Sequence, residues 1–315
     1  MKAVVLCAKK MNYDHLLDFS TLCEEVAVYD DADETKMAER LQGAEILITK
    51  ENQVTAEMIQ SFPDTLKIIV EAGTGYNNID LKAASDKGLL VCNVPSYSTD
   101  SVAQMALMFI LMCASSMKQQ ISMLDRGDKH SFTEYLQVDH DEVFGKTLGV
   151  IGEGHIGGRV VALARAFGMQ VLVYRRRPLP DREGVRYVSL PELLKNSDYI
   201  SLHCPLTKDT RHLISREALA MMKPTAWLIN TSRGPLIDQE ALLEALRNHA
   251  IAGAALDVQE YEPLDPDSPL FDLDNVILTP HIGWQTKAAR QRLLQIIRQD
   301  IEAYRNGTPI NVVNN

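Results

Sequence analysis

The run Gly152-Glu153-Gly154-His155-Ile156-Gly157 follows directly on the apolar stretch Thr147-Leu148-Gly149-Val150-Ile151 and leads into an amphipathic pattern through Phe167. Strand, tight glycine turn and helix in that order form the context a dinucleotide phosphate site needs. Gly152 permits the turn, Gly154 leaves room for a pyrophosphate to approach the backbone, and Gly157 lets helix and strand pack closely. The pyrophosphate then sits on the helix N-terminus, where unpaired N–H groups and the helix dipole favour negative charge. The next strand, Gln170 to Tyr174, is followed by Arg175-Arg176-Arg177. A carboxylate at that point binds the ribose diol of NAD, whereas guanidinium groups bind the extra phosphate of NADP through charge-assisted contacts. NADP(H) is therefore the preferred cofactor, with NAD(H) left open because a downstream residue can also serve it.

A chain of 315 residues buries a substantial core and by length should form two domains. A formal net charge of −10 argues against nucleic-acid and anionic-membrane partners. The N-terminal run Met1 to Cys7 is too short for a signal peptide and reads as a strand, and no uncharged apolar run is long enough for a transmembrane span. Cys7, Cys23, Cys92, Cys113 and Cys204 are odd in number and form no CxxC pair, which points to reduced thiols and a cytoplasmic location. No metal-ligand spacing is present.

Strands are expected at Ala3 to Leu6, Glu25 to Tyr29, Ile46 to Thr49, Leu66 to Glu71 and Leu90 to Asn93. Asn93-Val94-Pro95-Ser96-Tyr97-Ser98 then breaks the alternation before a long helix from about Thr99 to Leu124, marking a domain crossing. Six more strands follow, at Thr147 to Ile151, Gln170 to Tyr174, Tyr199 to Leu202, Ala226 to Asn230, Gly253 to Asp257 and Val276 to Leu278. A last helix, about Thr286 to Asn306, returns to the first domain. The expected architecture is α/β: two Rossmann-like domains with a cleft between them, the second a doubly wound parallel-sheet dinucleotide-binding domain. The expected ranges are 1–98 plus 286–315 for a substrate-binding domain and 99–285 for the NAD(P)-binding domain.

Three stretches fall at carboxyl ends of the second domain's strands: Asn230-Thr231-Ser232-Arg233-Gly234-Pro235, Leu256-Asp257-Val258-Gln259-Glu260-Tyr261-Glu262-Pro263, and Leu278-Thr279-Pro280-His281-Ile282-Gly283-Trp284. They bring an arginine, a carboxylate and a histidine towards one crevice. Together with the glycine turn, His203-Cys204-Pro205-Leu206-Thr207, the segment Glu71 to Asp80 and the segment Asn93 through Gln104, these stretches resemble the D-isomer-specific 2-hydroxyacid dehydrogenases over most of the chain. His281-Ile282-Gly283-Trp284 is similar to the glycerate dehydrogenase or hydroxypyruvate reductase branch.

The resemblance implies hydride transfer between a nicotinamide and C2 of a small 2-oxo or D-2-hydroxy acid, an EC 1.1.1 type of reaction. Arg233 matches the substrate arginine, whose planar fork holds the carboxylate and polarises the neighbouring carbonyl. His281 matches the acid/base that protonates the ketone oxygen, and Glu262 its partner, since a nearby carboxylate stabilises an imidazolium; Glu260 is close enough in sequence to be mistaken for it. Gly73, Thr74 and Gly75 are expected to offer backbone N–H groups to the substrate carboxylate, with Asn77 or Asn78 orienting the loop and Trp284 walling the pocket. Thr99, Gly152, Gly154, His155, Ile156, Gly157, Arg175, Arg176, Cys204, Pro205, Thr231, Asp257 and His281 are the implied cofactor contacts, with a loop-capping role open for Asp257 and a helix-capping role for Thr99. Arg175 replaces the acidic residue commoner in the family, and Gln259 stands where an aromatic is more usual after Asp-Val.

Hydroxypyruvate or glyoxylate reduction is the preferred activity. An NAD-linked D-lactate or other D-2-hydroxyacid dehydrogenase is the nearest alternative, and a nucleotide-sensing corepressor is the alternative of a different class. A homodimer is expected from the resemblance, with Val102 to Met117 suited to either core or interface.

Overall fold

The computed structural model describes residues 1–314 and divides into two compact units, Met1–Ser98 with Trp284–Asn315, and Thr99–Gly283. The first is built on five parallel strands, β1 (Lys2–Val5), β2 (Glu25–Val28), β3 (Ile46–Thr49), β4 (Ile68–Glu71) and β5 (Leu90–Cys92), in the order β2-β1-β3-β4-β5. Strands β3 and β4 are buried along their whole length, as strands covered on both faces must be, and they read as continuous Ile, Leu and Val runs.

The second unit holds seven parallel strands: β6 (Thr147–Ile151), β7 (Gln170–Tyr174), β8 (Val185–Tyr187), β9 (Tyr199–Leu202), β10 (Trp227–Asn230), β11 (Gly253–Leu256) and β12 (Val276–Leu278). Their order, β12-β11-β10-β9-β6-β7-β8, reverses between β6 and β9 and is the doubly wound nucleotide-binding topology. Six of these strands were expected from sequence; β8 was not. It is a three-residue edge strand whose middle residue, Arg186, points to solvent, so its apolar signal is two residues long.

The expected long helix is two helices, α1 (Thr99–Ala114) and α2 (Met117–Asp125), bent by 67°. Ser116 sits between them in the left-handed region (φ 44°), which ends the first ladder although the apolar pattern continues across it. Helix α1 turns Ala103, Ala106, Phe109, Ile110 and Cys113 into the core of the second unit, so much of the 102–117 stripe is interior. Among the described residues no single helix is long and apolar enough to cross a membrane. Helix α3 (His155–Ala166) follows the glycine turn, with Gly157, Val160, Val161 and Ala164 buried.

Helix α4 (Lys287–Arg305) closes the first unit. It starts where Thr286 accepts the Ala289 N–H, and it is fastened by Arg290, whose fully buried guanidinium donates to Asp14 at 2.7 and 2.6 Å and to the Met11 carbonyl at 3.1 Å. On the same helix Asp300 is completely buried; Oδ1 accepts from Asn311 at 2.7 Å, and Oδ2 has no hydrogen-bond partner among the described residues. Burial pushes this carboxyl up to about 7, with the Asn311 hydrogen bond opposing. Between an unfolded value near ~4 and the folded one, the folded chain keeps a proton that the unfolded chain has released, so stability falls as pH rises through that window. Asp300→Asn is expected to leave unfolding unchanged near pH 4 and to stabilise the protein by about 2 kcal/mol at pH 8. Urea unfolding at the two pH values measures this, and equal midpoints for variant and wild type at pH 8 would contradict it.

Candidate active site

Five strand ends stand level at one edge of the second sheet. The register pairs Ile151 with Leu202, Leu202 with Asn230, Asn230 with Leu256 and Leu256 with Leu278. The loops that follow all leave from this row, on the carboxyl side where open α/β sheets bind ligands.

At β6 the glycine turn has the shape its sequence requires. Gly152 has φ +94°, and a Cβ there would come within 2.6 Å of the Cys204 backbone nitrogen; one on Gly157 would lie 2.1 Å from the Gly152 carbonyl oxygen. A Cβ on Gly154 would meet nothing within 4 Å, so the approach to the first turn of α3 is open, and no side chain caps that helix. Thr231, at the end of β10, and Thr99, at the start of α1, each bury a hydroxyl without a hydrogen-bond partner among the described residues. An open glycine turn at an uncapped helix N-terminus together with orphaned hydroxyls fits a dinucleotide.

His155 and Ile156 begin α3, the first exposed and the second half-buried. Cys204 is buried, which pushes its thiol up to about 11 and makes it a packing group; its carbonyl accepts from Ser232 Oγ at 2.8 Å. Pro205 beside it is exposed.

The arginine run carries a partner that sequence reasoning missed. Glu153, inside the glycine turn, accepts from Tyr187 Oη at 2.6 Å, pairs closely with Arg182, and lies 3.8 Å from Arg175. Arg176 and Arg177 are exposed. A carboxylate thus offsets part of the positive charge after β7, and its signal was the acidic residue between the first two glycines.

The residues expected to react are held by the loops after β10, β11 and β12. His281 has φ +54°, a left-handed conformation uncommon for a residue with a side chain. Asp257 is what fixes it there. This buried carboxylate accepts from Thr279 Oγ1 at 2.5 Å, from the Ile282 N–H at 2.9 Å and from the Gly283 N–H at 2.8 Å, while its carbonyl accepts from the His281 N–H. Burial raises the Asp257 carboxyl, and these three donors pull against that. The loop-capping role left open for Asp257 is thus the contact observed. His281 Nδ1 lies 2.8 Å from Glu262 Oε2, and Glu262 Oε1 accepts from the Gln259 N–H at 3.0 Å. Glu260 faces elsewhere, to His212 at 2.8 Å and Arg211 at 3.3 Å.

Arg233 is half-buried; its Nη1 donates to the Ser232 carbonyl at 2.8 Å, and its own carbonyl accepts from Asn230 Nδ2 at 2.8 Å. The next residue locks this loop to the one carrying Glu262, because a Cβ on Gly234 would lie 1.7 Å from the Gln259 carbonyl oxygen. Gln259 itself is buried and reaches the Thr279 carbonyl at 3.3 Å, so the polar side chain ties two loops that an aromatic would only pack between. Arg233, Glu262 and His281 are therefore three parts of one braced structure.

Residues 107–283 match the family described as D-isomer specific 2-hydroxyacid dehydrogenase, NAD binding domain. The chain belongs to the D-isomer-specific 2-hydroxyacid dehydrogenase family. It is 37% identical over 323 aligned residues to a hydroxypyruvate reductase of Blautia hydrogenotrophica, covering 100% of both chains. It is 38% identical over 282 residues to a glyoxylate reductase of Korarchaeum cryptofilum, covering 88% of this chain and 84% of that one. Among solved structures, an acyclic imino acid reductase in complex with NADPH and D-Arg superposes with a TM-score of 0.85 at 32% identity, covering 99% of this chain and 100% of that one. Membership makes this dehydrogenase an NAD(P)-dependent oxidoreductase acting on small 2-oxo and D-2-hydroxy acids.

The remaining expected site residues, Gly73, Thr74, Gly75 and Trp284, belong to the first unit. Thr74 Oγ1 donates to the Val94 carbonyl at 3.2 Å and Asn93 Nδ2 donates to the Thr74 carbonyl at 2.7 Å, which fixes the loop after β4. Asn78 reaches back to Glu71 at 2.9 Å and to the Asn52 carbonyl at 2.7 Å, an orienting contact of the kind expected for Asn77 or Asn78. Trp284 was expected beside His281; its buried ring packs edge-on against Tyr97 with centroids 6.5 Å apart.

Proposed function

We propose that the protein is a hydroxypyruvate/glyoxylate reductase that works reductively with NADPH as its preferred coenzyme. The observation that carries the chemistry is the His281–Glu262 pair at 2.8 Å, braced against the loop of Arg233. Its Nδ1 is committed to Glu262, so proton exchange with the substrate falls to Nε2. Arg233 takes the substrate carboxylate and polarises the adjoining carbonyl, and the backbone of Gly73, Thr74 and Gly75 is the first unit's group assigned to bind a carboxylate. When bound, the reduced nicotinamide supplies the hydride; Thr99, the glycine turn from Gly152 to Gly157, Cys204, Pro205, Thr231 and Asp257 are the groups assigned to hold it. His281 delivers a proton to the ketone oxygen as that oxygen gains charge, and takes it back in the oxidative direction.

The substrate assignment is supported by the hydroxypyruvate and glyoxylate reductases among the relatives, and the coenzyme assignment by Arg175 to Arg177 and the NADPH-bound neighbour. A cytoplasmic homodimer accompanies this reading. Initial rates for glyoxylate, hydroxypyruvate, pyruvate and larger 2-oxo acids, each with NADPH and NADH, test it. The first two acids with NADPH are expected to give the highest kcat/KM, and Arg175→Ser is expected to raise the KM for NADPH by about tenfold while sparing NADH. A clear NADH preference in the wild type overturns the coenzyme assignment, and turnover confined to pyruvate and larger acids overturns the substrate assignment.

A further inference from the structure

At the carboxyl edge of the first sheet, β3 and β4 end level, with Thr49 paired to Glu71. The residue after Thr49 is Lys50, which is 2% exposed. Its ammonium donates to Glu51 Oε1 at 2.5 Å and lies 3.9 Å from the centre of the Trp284 ring. Glu71 is fully buried beside it; Oε1 accepts from the Glu51 N–H at 3.0 Å and Oε2 from Asn78 at 2.9 Å. Burial raises the Glu71 carboxyl to about 7, with Lys50 pulling against it, and both side chains flank Gly73. A Cβ added to Gly73 would lie 3.2 Å from Lys50 Nζ and 3.3 Å from Glu71 Oε1.

Lysine is almost never fully buried unless paired, because an isolated ammonium is strongly unfavourable away from water. Burial draws the Lys50 ammonium down, but Tyr97, Glu51 and Glu71 together outweigh it and hold it protonated. Methionine fills the same space without a charge, so packing alone gives no reason for a lysine. What the charge touches is informative: Trp284, Glu51 and the flank of Gly73, all at the loop rather than in the sheet core. The Trp284 indole Nε1 is itself buried without a hydrogen-bond partner among the described residues.

We propose that Lys50 is a positioning residue: braced by Glu51, Glu71 and the Trp284 ring, it holds the Gly73–Gly75 backbone in the shape that receives the carboxylate of a 2-oxo acid. This rests on the reductase reading above, in which that loop is assigned to carboxylate binding. Loss of the brace then acts on the binding of the acid, leaving proton delivery by His281 and the hold on the coenzyme intact.

The test is steady-state kinetics of the whole enzyme with glyoxylate as the probe. Lys50→Met is expected to raise the glyoxylate KM by about tenfold, with kcat within about twofold and the coenzyme KM unchanged. If Lys50→Met does not fold, Glu51→Gln is the second variant, since that side chain is 26% exposed; positioning requires a rise of about threefold in the same KM. An unchanged glyoxylate KM in an active variant overturns the Lys50 assignment alone, as does a fall in kcat together with a rise in the coenzyme KM. An inactive wild type overturns the reductase reading and this assignment with it.

Discussion

Replacing His281 with alanine is expected to lower kcat for 2-oxo acid reduction by about a thousandfold, an effect far larger than any on coenzyme affinity. The expectation follows from how completely the histidine is prepared. Its backbone is held at φ +54° by Asp257, its Nδ1 is occupied by Glu262, and Glu262 is itself fixed by the Gln259 N–H. A general acid placed in this way contributes mainly to the chemical step, so the loss belongs in kcat rather than in KM. Glu262→Gln keeps the volume and an acceptor for Nδ1 while removing the charge, and a loss of about tenfold to a hundredfold is expected. Stopped-flow single-turnover reduction, with coenzyme binding followed by fluorescence titration, separates the two effects. A His281→Ala enzyme with wild-type turnover would remove the histidine from the mechanism.

The second large effect is expected at Arg233. Alanine there should reduce kcat/KM by about a thousandfold, because a bidentate hold on the carboxylate and polarisation of the carbonyl are lost together. Arg233→Lys keeps one positive charge but not the planar fork, and it is expected to recover less than a tenth of that loss. The loop should survive both changes. Asn230 donating to the Arg233 carbonyl and the contact of Gly234 with Gln259 hold its backbone without the guanidinium, although the guanidinium also donates to the Ser232 carbonyl. Unchanged coenzyme affinity checks this, and unchanged turnover in Arg233→Ala would dismiss the proposed site.

Much of this was legible in the chain because the relevant signals are local. Runs such as Ile46-Leu47-Ile48-Thr49 declare a buried strand, and Gly152, Gly154 and Gly157 declare the turn by their spacing. Arg233, Glu262 and His281 fall just beyond strand ends, so a correct strand list places them on one edge of the sheet. The misses have a different origin. Strand β8 contributes two apolar residues, below what a pattern can resolve, and the break at Ser116 lacks the glycine or proline that usually announces one. Lys50 and Glu153 carry no local sign of the partners they find in the fold. What covers Lys50 is the Trp284 ring, and what occupies Glu153 is Arg182 and Tyr187, all of them distant in sequence. Asp257 was visible as an acidic residue that matches the family pattern, but its three donors lie across the next loop and could be seen only in the fold.

The level row formed by Ile151, Leu202, Asn230, Leu256 and Leu278 separates what must be kept from what can be rewritten. Every strand stops before its loop begins, so insertions and exchanges beyond that line alter reach and selectivity without shifting a single ladder pair. Gly152 and Gly234 are exceptions, since at each of them two loops meet with no room for a side chain. A designer grafting new selectivity onto this scaffold therefore has to transplant the 231–234 and 257–262 segments as one cassette, and to keep the turn after β9 matched to the glycine turn and to Ser232.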